Sequence, residues 1–329
     1  MITTEAEPAD RVLSKAWSSP FRVLPASSLG GVLPNWVHAI HCGAIYADDG
    51  WLCVESQRIG GAYGDTVVAV NPVFMPRHGV VDTLPGDSLF IGPFMLHYGH
   101  FISETLSRLR PSMNDPKRYE RLVAFPFSKA GLRLERFHTY ILGCLGIDGA
   151  AITTLQEPVG FERIEVPEQL WQVNVGANLA VRDVYRKINS LHVTRTPDAR
   201  VFLSRTRSPR LQGIGDIEAA FERRGFRVIY PETIPIEEQL SIYASADIIA
   251  GVSGSAMHNC VFASEWCATI EIGDARSPER PHPMQRIANA IAGIPAAFVP
   301  YTGGADGVRD NTSLASQIDE ALVSLSRPP

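Results

Sequence analysis

The most chemically loaded stretch of the chain is His97-Tyr98-Gly99-His100-Phe101-Ile102-Ser103-Glu104-Thr105-Leu106-Ser107-Arg108, which holds two imidazoles, a carboxylate and a guanidinium. Read as one helix, His97, His100, Glu104 and Arg108 fall at i, i+3, i+7 and i+11 and share a face, while Phe101, Leu106 and Leu109 supply apolar packing positions. A neutral imidazole beside an acid is a usable general base near neutral pH, and the acid either orients the ring or takes the proton itself. His100, Glu104 and His97 are therefore the catalytic candidates. The same side chains could ligate zinc or iron, although the spacing is not His-Glu-x-x-His and a further histidine would have to come from His258 or His282.

A second group of residues suits an anion. Residues 247–259 read as a strand running into a turn of small residues and then a helix. Such a turn aims the backbone N–H groups of Gly251, Ser253, Gly254 and Ser255 at a phosphate. Glycine lets the anion come close, and serine adds hydroxyl donors. Arg205, Arg207 and Arg210 follow an earlier strand of the same half, and guanidinium forks match phosphate oxygens. Doubly wound sheets bind ligands at one edge, so two anion-suited loops leaving that edge point to a pyrophosphate-bearing ligand. Gln239, His258, Asn259 and Glu271 complete the set, near the phosphate, a ribose or a base.

The elements that must carry these groups divide the chain into residues 1–195 and 196–329. In the first part, apolar runs at 36–46 and 50–55 flank Asp48-Asp49-Gly50, which predicts a β-hairpin, and 66–70 is a further strand. Residues 88–91 form a short strand stopped by Gly92-Pro93, and 96–110 a helix stopped by Pro111. A strand at 121–125, a helix at 132–145, an extended run at 155–165 and a helix at 178–192 follow. In the second part, strands at 201–204, 227–230, 247–251, 269–272 and 296–299 alternate with helices at 216–224, 235–245, 255 onward and 282–292. That alternation predicts an α/β fold with a parallel doubly wound sheet, followed by an amphipathic tail at 312–326.

Composition narrows the partners. A net charge of −5 gives no basic footprint for nucleic acid. Residues 1–10 lack the basic start of a secretory signal, and no run of about 18 apolar residues occurs, so the expectation is a cytoplasmic protein with no transmembrane segment. Peripheral membrane contact and oligomeric state stay open. Cys42, Cys53, Cys144, Cys260 and Cys267 are odd in number and form no Cys-x-x-Cys, the pattern of reduced core thiols.

Taken together, His97-x-x-His100-Phe101-x-x-Glu104-x-Leu106-x-Arg108 in the first half, and Ser204-Arg205, Glu238-Gln239, Ala246-Asp247, Gly251-x-Ser253-Gly254-Ser255-Ala256 and Glu271-Ile272 in the second, resemble glycosyltransferase family 61 in order and spacing. The resemblance implies a GT-B-like fold, two Rossmann-like domains facing a cleft, with an acceptor and catalytic domain over 1–195 and a nucleotide-sugar-binding domain over 196–329. It implies inverting transfer from a nucleotide sugar, UDP-linked by family expectation, to a carbohydrate or glycolipid acceptor, as in capsular polysaccharide synthesis. No cofactor and no obligatory metal are implied. The donor phosphates would lie against Arg205, Arg210 and the turn Ser253 to Ser255, and His100 or Glu104 would take the acceptor's proton. Two other readings stay open: a metal-dependent hydrolase built on His97, His100 and Glu104, and a non-catalytic nucleotide-sugar-binding module.

Overall fold

The computed structural model of the protein describes residues 15–17, 22–24, 44–47, 50–62, 65–68, 82–126, 132–155, 159–194, 198–205, 213–300 and 311–325. The chain divides into two compact units, Met1–Val184 and Tyr185–Pro329.

In the first unit, β1 (Lys15–Trp17), β2 (Arg22–Leu24), β3 (Ala44–Tyr46), β4 (Ile59–Ala62) and β5 (Asp65–Val68) lead to the long β6 (Thr83–Phe94). A helical stretch opened by α1 (Tyr98–His100) follows, then β7 (Arg121–Pro126), α2 (Arg136–Cys144), β8 (Ile152–Thr154), β9 (Gly160–Val166), β10 (Trp171–Gln172), β11 (Gly176–Ala177) and α3 (Arg182–Ser190), which runs across the division. Five strands make one sheet in the order β1-β9-β6-β7-β8. Four of them run parallel, and β1 is an antiparallel edge. Phe90, Val123, Phe125, Phe161, Ile164 and Val166 are buried together as a core against this sheet, removing apolar surface from water.

Two expectations need correction here. Gly92-Pro93 does not end β6: Gly92 takes φ +79°, and the register against β7 shifts between Phe90 and Pro93, so the pair forms an irregularity that the strand survives. The run at 50–55 is not a strand beyond Leu52, which bridges Tyr46. Val54–Ser56 coils into a 3-10 turn, because the Ser56 hydroxyl donates to Cys53 O at 2.6 Å and accepts from Ile45 N at 3.0 Å. The chain does reverse between these runs, with Ala47 N donating to Trp51 O at 2.8 Å, while Asp48 and Asp49 lie outside the described residues. β4 and β5 form an antiparallel pair of their own.

The second unit contains β12 (Arg200–Leu203), α4 (Ile214–Glu222), β13 (Arg227–Ile229), α5 (Ile236–Ser245), β14 (Ile248–Val252), β15 (Ala268–Ile272), α6 (Pro283–Ala292), β16 (Ala296–Val299) and α7 (Asn311–Leu325). Its strands are parallel in the order β13-β12-β14-β15-β16. The chain steps outward from β12 to β13, returns past β12 to β14, and continues outward the other way, the doubly wound pattern. Strands covered by helices read as apolar runs, and Phe202, Ala250, Ile270 and Ile272 pack with Ile217, Phe221, Leu314 and Ile318.

The helix expected from residue 255 is instead a 3-10 turn, Met257–Phe262. Met257 N closes on Gly254 O at 3.0 Å and Ala263 N on Cys260 O at 2.9 Å. The turn presses on β14 at Gly251, where a Cβ would stand 2.8 Å from Met257 Sδ and 2.9 Å from Leu203 O.

Candidate active site

The segment that carries the histidines is not one regular helix. After the single turn of α1, Phe101–Thr105 forms a wide π turn, and Leu106–Arg108 and Arg110–Ser112 tighten to 3-10 geometry. Hydroxyls serve backbone groups around this uneven ladder: Ser103 Oγ donates to Gly99 O at 2.9 Å, Ser107 Oγ to Glu104 O at 2.7 Å, and Thr105 Oγ1 accepts from Met95 N at 3.1 Å. The expected four-residue face is therefore broken.

What survives is the pair His100 and Glu104, with Nδ1 of the ring 2.5 Å from Oε1. Glu104 is buried, and Arg58 grips it with Nε on Oε2 at 2.6 Å and Nη2 on Oε1 at 2.9 Å. Burial pushes the carboxyl up, but the Arg58 charge and the bonds from His100 and Arg58 outweigh it and hold Glu104 below its ordinary range. An ionised carboxylate only accepts, so the proton in the His100 bond belongs to Nδ1, and in a neutral ring the lone pair is then on Nε2. His97 is the exposed residue ahead of α1, its ring edge-on to His100 with centroids 5.5 Å apart.

Arg108 leaves the group altogether. It is buried, donates to Glu55 O at 2.7 Å, Pro167 O at 2.5 Å and Gln57 O at 2.8 Å, and lies over the Phe90 ring. Burial pulls its guanidinium down to about 10. Arg58 is the residue that sequence reasoning missed: it sits 46 positions from Glu104, and no local spacing links the two.

In the second unit, the adjacent strands β12 and β14 form the switch point, where the chain leaves the sheet in opposite directions and such folds bind ligands. At their C-terminal ends is an open pocket of about 410 Å³, solvent space included, lined by Leu203, Ser204, Arg205, Ile214, Val252, Ser253, Ala256 and Asp274. The Arg205 guanidinium lies against Gly254, where a Cβ would stand 2.8 Å from Nη2. Ser255 is the partly exposed residue between Gly254 and the lining Ala256. These residues are brought together at one pocket.

Of the other candidates among the described residues, only Ser253 lines the pocket. Ser253 N donates to Ile272 O at 2.9 Å and its Oγ to Glu271 Oε1 at 2.6 Å, so both donors serve the fold. Glu271 is buried, also accepts from His282 N at 3.2 Å, and has no partner at Oε2 among the described residues. Burial pushes its carboxyl up to about 7. His258 is buried with Nδ1 3.0 Å from Gln285 Oε1, and burial pulls its imidazole down to about 4. Asn259 is buried and bonds the Tyr243 hydroxyl. Gln239 ties the loop before α5, its Nε2 donating to Pro231 O at 2.7 Å and Ile234 O at 3.0 Å. Gly251 is a packing position inside β14. Arg207 and Arg210 lie outside the described residues.

Asp274, which lines this pocket, and Arg276, which bonds the lining Asp274 and Ser253, were not singled out from the sequence. Asp274 accepts from Arg276 N at 2.9 Å and Arg276 Nε at 2.8 Å. Burial works against the charge, yet the Arg276 bonds hold the Asp274 carboxyl below its usual value. Arg276 Nη2 also donates to Ser253 O at 3.2 Å. Two guanidiniums therefore rest on neighbouring residues of one turn, Arg276 on Ser253 and Arg205 on Gly254. The signal was there: an acid and an arginine two residues apart, just past β15 at the same sheet edge.

Among the described residues, no three His, Cys, Asp or Glu side chains gather as a metal cluster, and no helix is long and apolar enough to cross a membrane. No curated protein matches the chain. The family described as Glycosyltransferase 61 matches residues 98–270, from the first residue of α1 into β15. That span covers more than half of the chain and contains both the His100–Glu104 pair and the turn that Arg205 rests on. The protein is a glycosyltransferase and belongs to glycosyltransferase family 61.

Proposed function

We propose that the protein moves a sugar, with inversion, from a UDP-linked donor to a hydroxyl of a carbohydrate or glycolipid acceptor, without a resident metal or other cofactor. The observation that carries this reading is the switch-point pocket, where Arg205 and Arg276 converge on the turn after β14. The donor diphosphate lies against these guanidiniums, with Arg207 and Arg210 included in the donor set from their place in the sequence. The bond from the anomeric carbon to the diphosphate breaks, and the leaving diphosphate takes the electron pair. Fixed positive groups that meet this charge lower the barrier without reorganising.

The acceptor oxygen attacks the anomeric carbon from the opposite face and gives its proton to His100 Nε2, while Glu104 keeps the ring in the right tautomer. A GT-B-like arrangement, with the two units facing across a cleft, is part of this proposal, as is operation in capsular polysaccharide or glycolipid synthesis. Cytoplasmic placement is supported by Cys53, Cys144, Cys260 and Cys267, all free thiols.

The test is turnover of UDP-sugars in EDTA, with the anomeric configuration of the product read by NMR. An inverted product is expected, with His100→Gln lowering turnover by about 10²–10⁴-fold and leaving UDP binding unchanged. A retained configuration, or normal turnover by His100→Gln, contradicts the proposal.

A further inference from the structure

Arg58 precedes the residues that the family matches, yet it makes two hydrogen bonds to the Glu104 of the His100–Glu104 pair. Its planar fork meets the Glu104 carboxylate with two bonds, the geometry in which an arginine fixes both the position and the rotation of its partner. The backbone on either side of it is held by buried side chains from other elements. Arg108 takes the carbonyls of Glu55 and Gln57 ahead of it. Gln169 takes both backbone groups of Ile59 after it, accepting from N at 3.0 Å and donating to O at 2.9 Å.

We propose that Arg58 is a positioning residue for sugar transfer, locking Glu104 so that His100 alone presents a base. Oε2 of Glu104 is committed to Arg58, and Oε1 is shared between Arg58 and His100 Nδ1. The carboxylate then neither rotates nor reaches an acceptor hydroxyl. A neutral imidazole that donates from Nδ1 has its lone pair on Nε2. Arg108, the other cation that faces Glu104, is spent on backbone carbonyls and does not substitute for Arg58. The kinetic consequence rests on the transferase reading, whereas the clamp itself can be measured without it.

Nitrogen-15 NMR of the histidine-labelled full chain, with His100 assigned from His100→Gln, reports the tautomer directly. We expect the proton on Nδ1 in the wild type, loss of that single tautomer in Arg58→Met, and its retention in Arg58→Lys, which keeps the cation. In transfer assays, Arg58→Met lowers kcat roughly 10–100-fold, a share of the general-base contribution, with KM for the donor unchanged, and Arg58→Lys recovers most of the loss. Should Arg58→Met fail to fold, Arg58→Lys decides alone: it is expected to keep the Nδ1 tautomer, with kcat lowered and KM unchanged. A neutral wild-type ring protonated on Nε2, or a tautomer and kcat unmoved by either substitution, overturns the proposal. The expected tautomers in a protein that transfers no sugar would sink the function proposed above and leave the clamp standing.

Discussion

Glu104 and Glu271 are both buried carboxylates, and their surroundings push them in opposite directions. Glu104 has a guanidinium across both oxygens and stays ionised, whereas among the described residues Glu271 has a hydroxyl and one backbone N–H on Oε1 and nothing on Oε2. The folded chain therefore holds the Glu271 proton up to about pH 7, while the unfolded chain releases it near 4.5. Stability tied to this proton is complete below the unfolded value and is lost as pH rises through the folded one, a change on the order of 3 kcal/mol. Melting curves of Glu271→Gln and wild type should lie close at pH 5 and diverge in the variant's favour by pH 8; a difference that ignores pH contradicts this. The pairing of His100 with Glu104 was legible because an i,i+4 contact survives the change from α to π geometry. Arg58 was not, since a partner 46 residues away leaves no trace in local spacing. Nor does residue type say which way a side chain turns: Ser253 and Gln239 were read as ligand contacts, and both spend their donors inside the fold.

At the scale of elements, the second unit was the more readable, because buried parallel strands separated by helices make short apolar runs that periodicity finds. The irregular pieces were missed where tertiary contacts overrule local signals. Gly92-Pro93 reads as a break, yet β6 continues through it with Arg108 packed where a Cβ would come within 2.9 Å. The glycines around β14 show how such contacts separate structure from function. Gly251→Ala drives a Cβ into the Leu203 carbonyl, which cannot yield, and should cost about 1–3 kcal/mol. Gly254→Ala meets only the end of the Arg205 side chain, so its melting temperature should hold while UDP binding weakens. Thermal melts and UDP titrations of the two variants check this, and equal loss of stability in both would contradict the place given to Arg205.

For the whole molecule, the span that the family matches runs from the His100–Glu104 pair of the first unit to the turn that Arg205 rests on in the second. The net charge of −5 gives no hint of that second site, because attraction for a phosphate is set by the few guanidiniums at the pocket and not by the sum over the chain. Donor binding at the switch point is the central claim, and calorimetric titration of UDP into wild type and Arg205→Ala, each with EDTA, tests it most directly. Loss of charge-assisted bonds worth about 1.5–3 kcal/mol should weaken the variant roughly 10–100-fold, with wild-type binding untouched by the chelator. Equal affinity in the two proteins, or wild-type binding that EDTA abolishes, would contradict it.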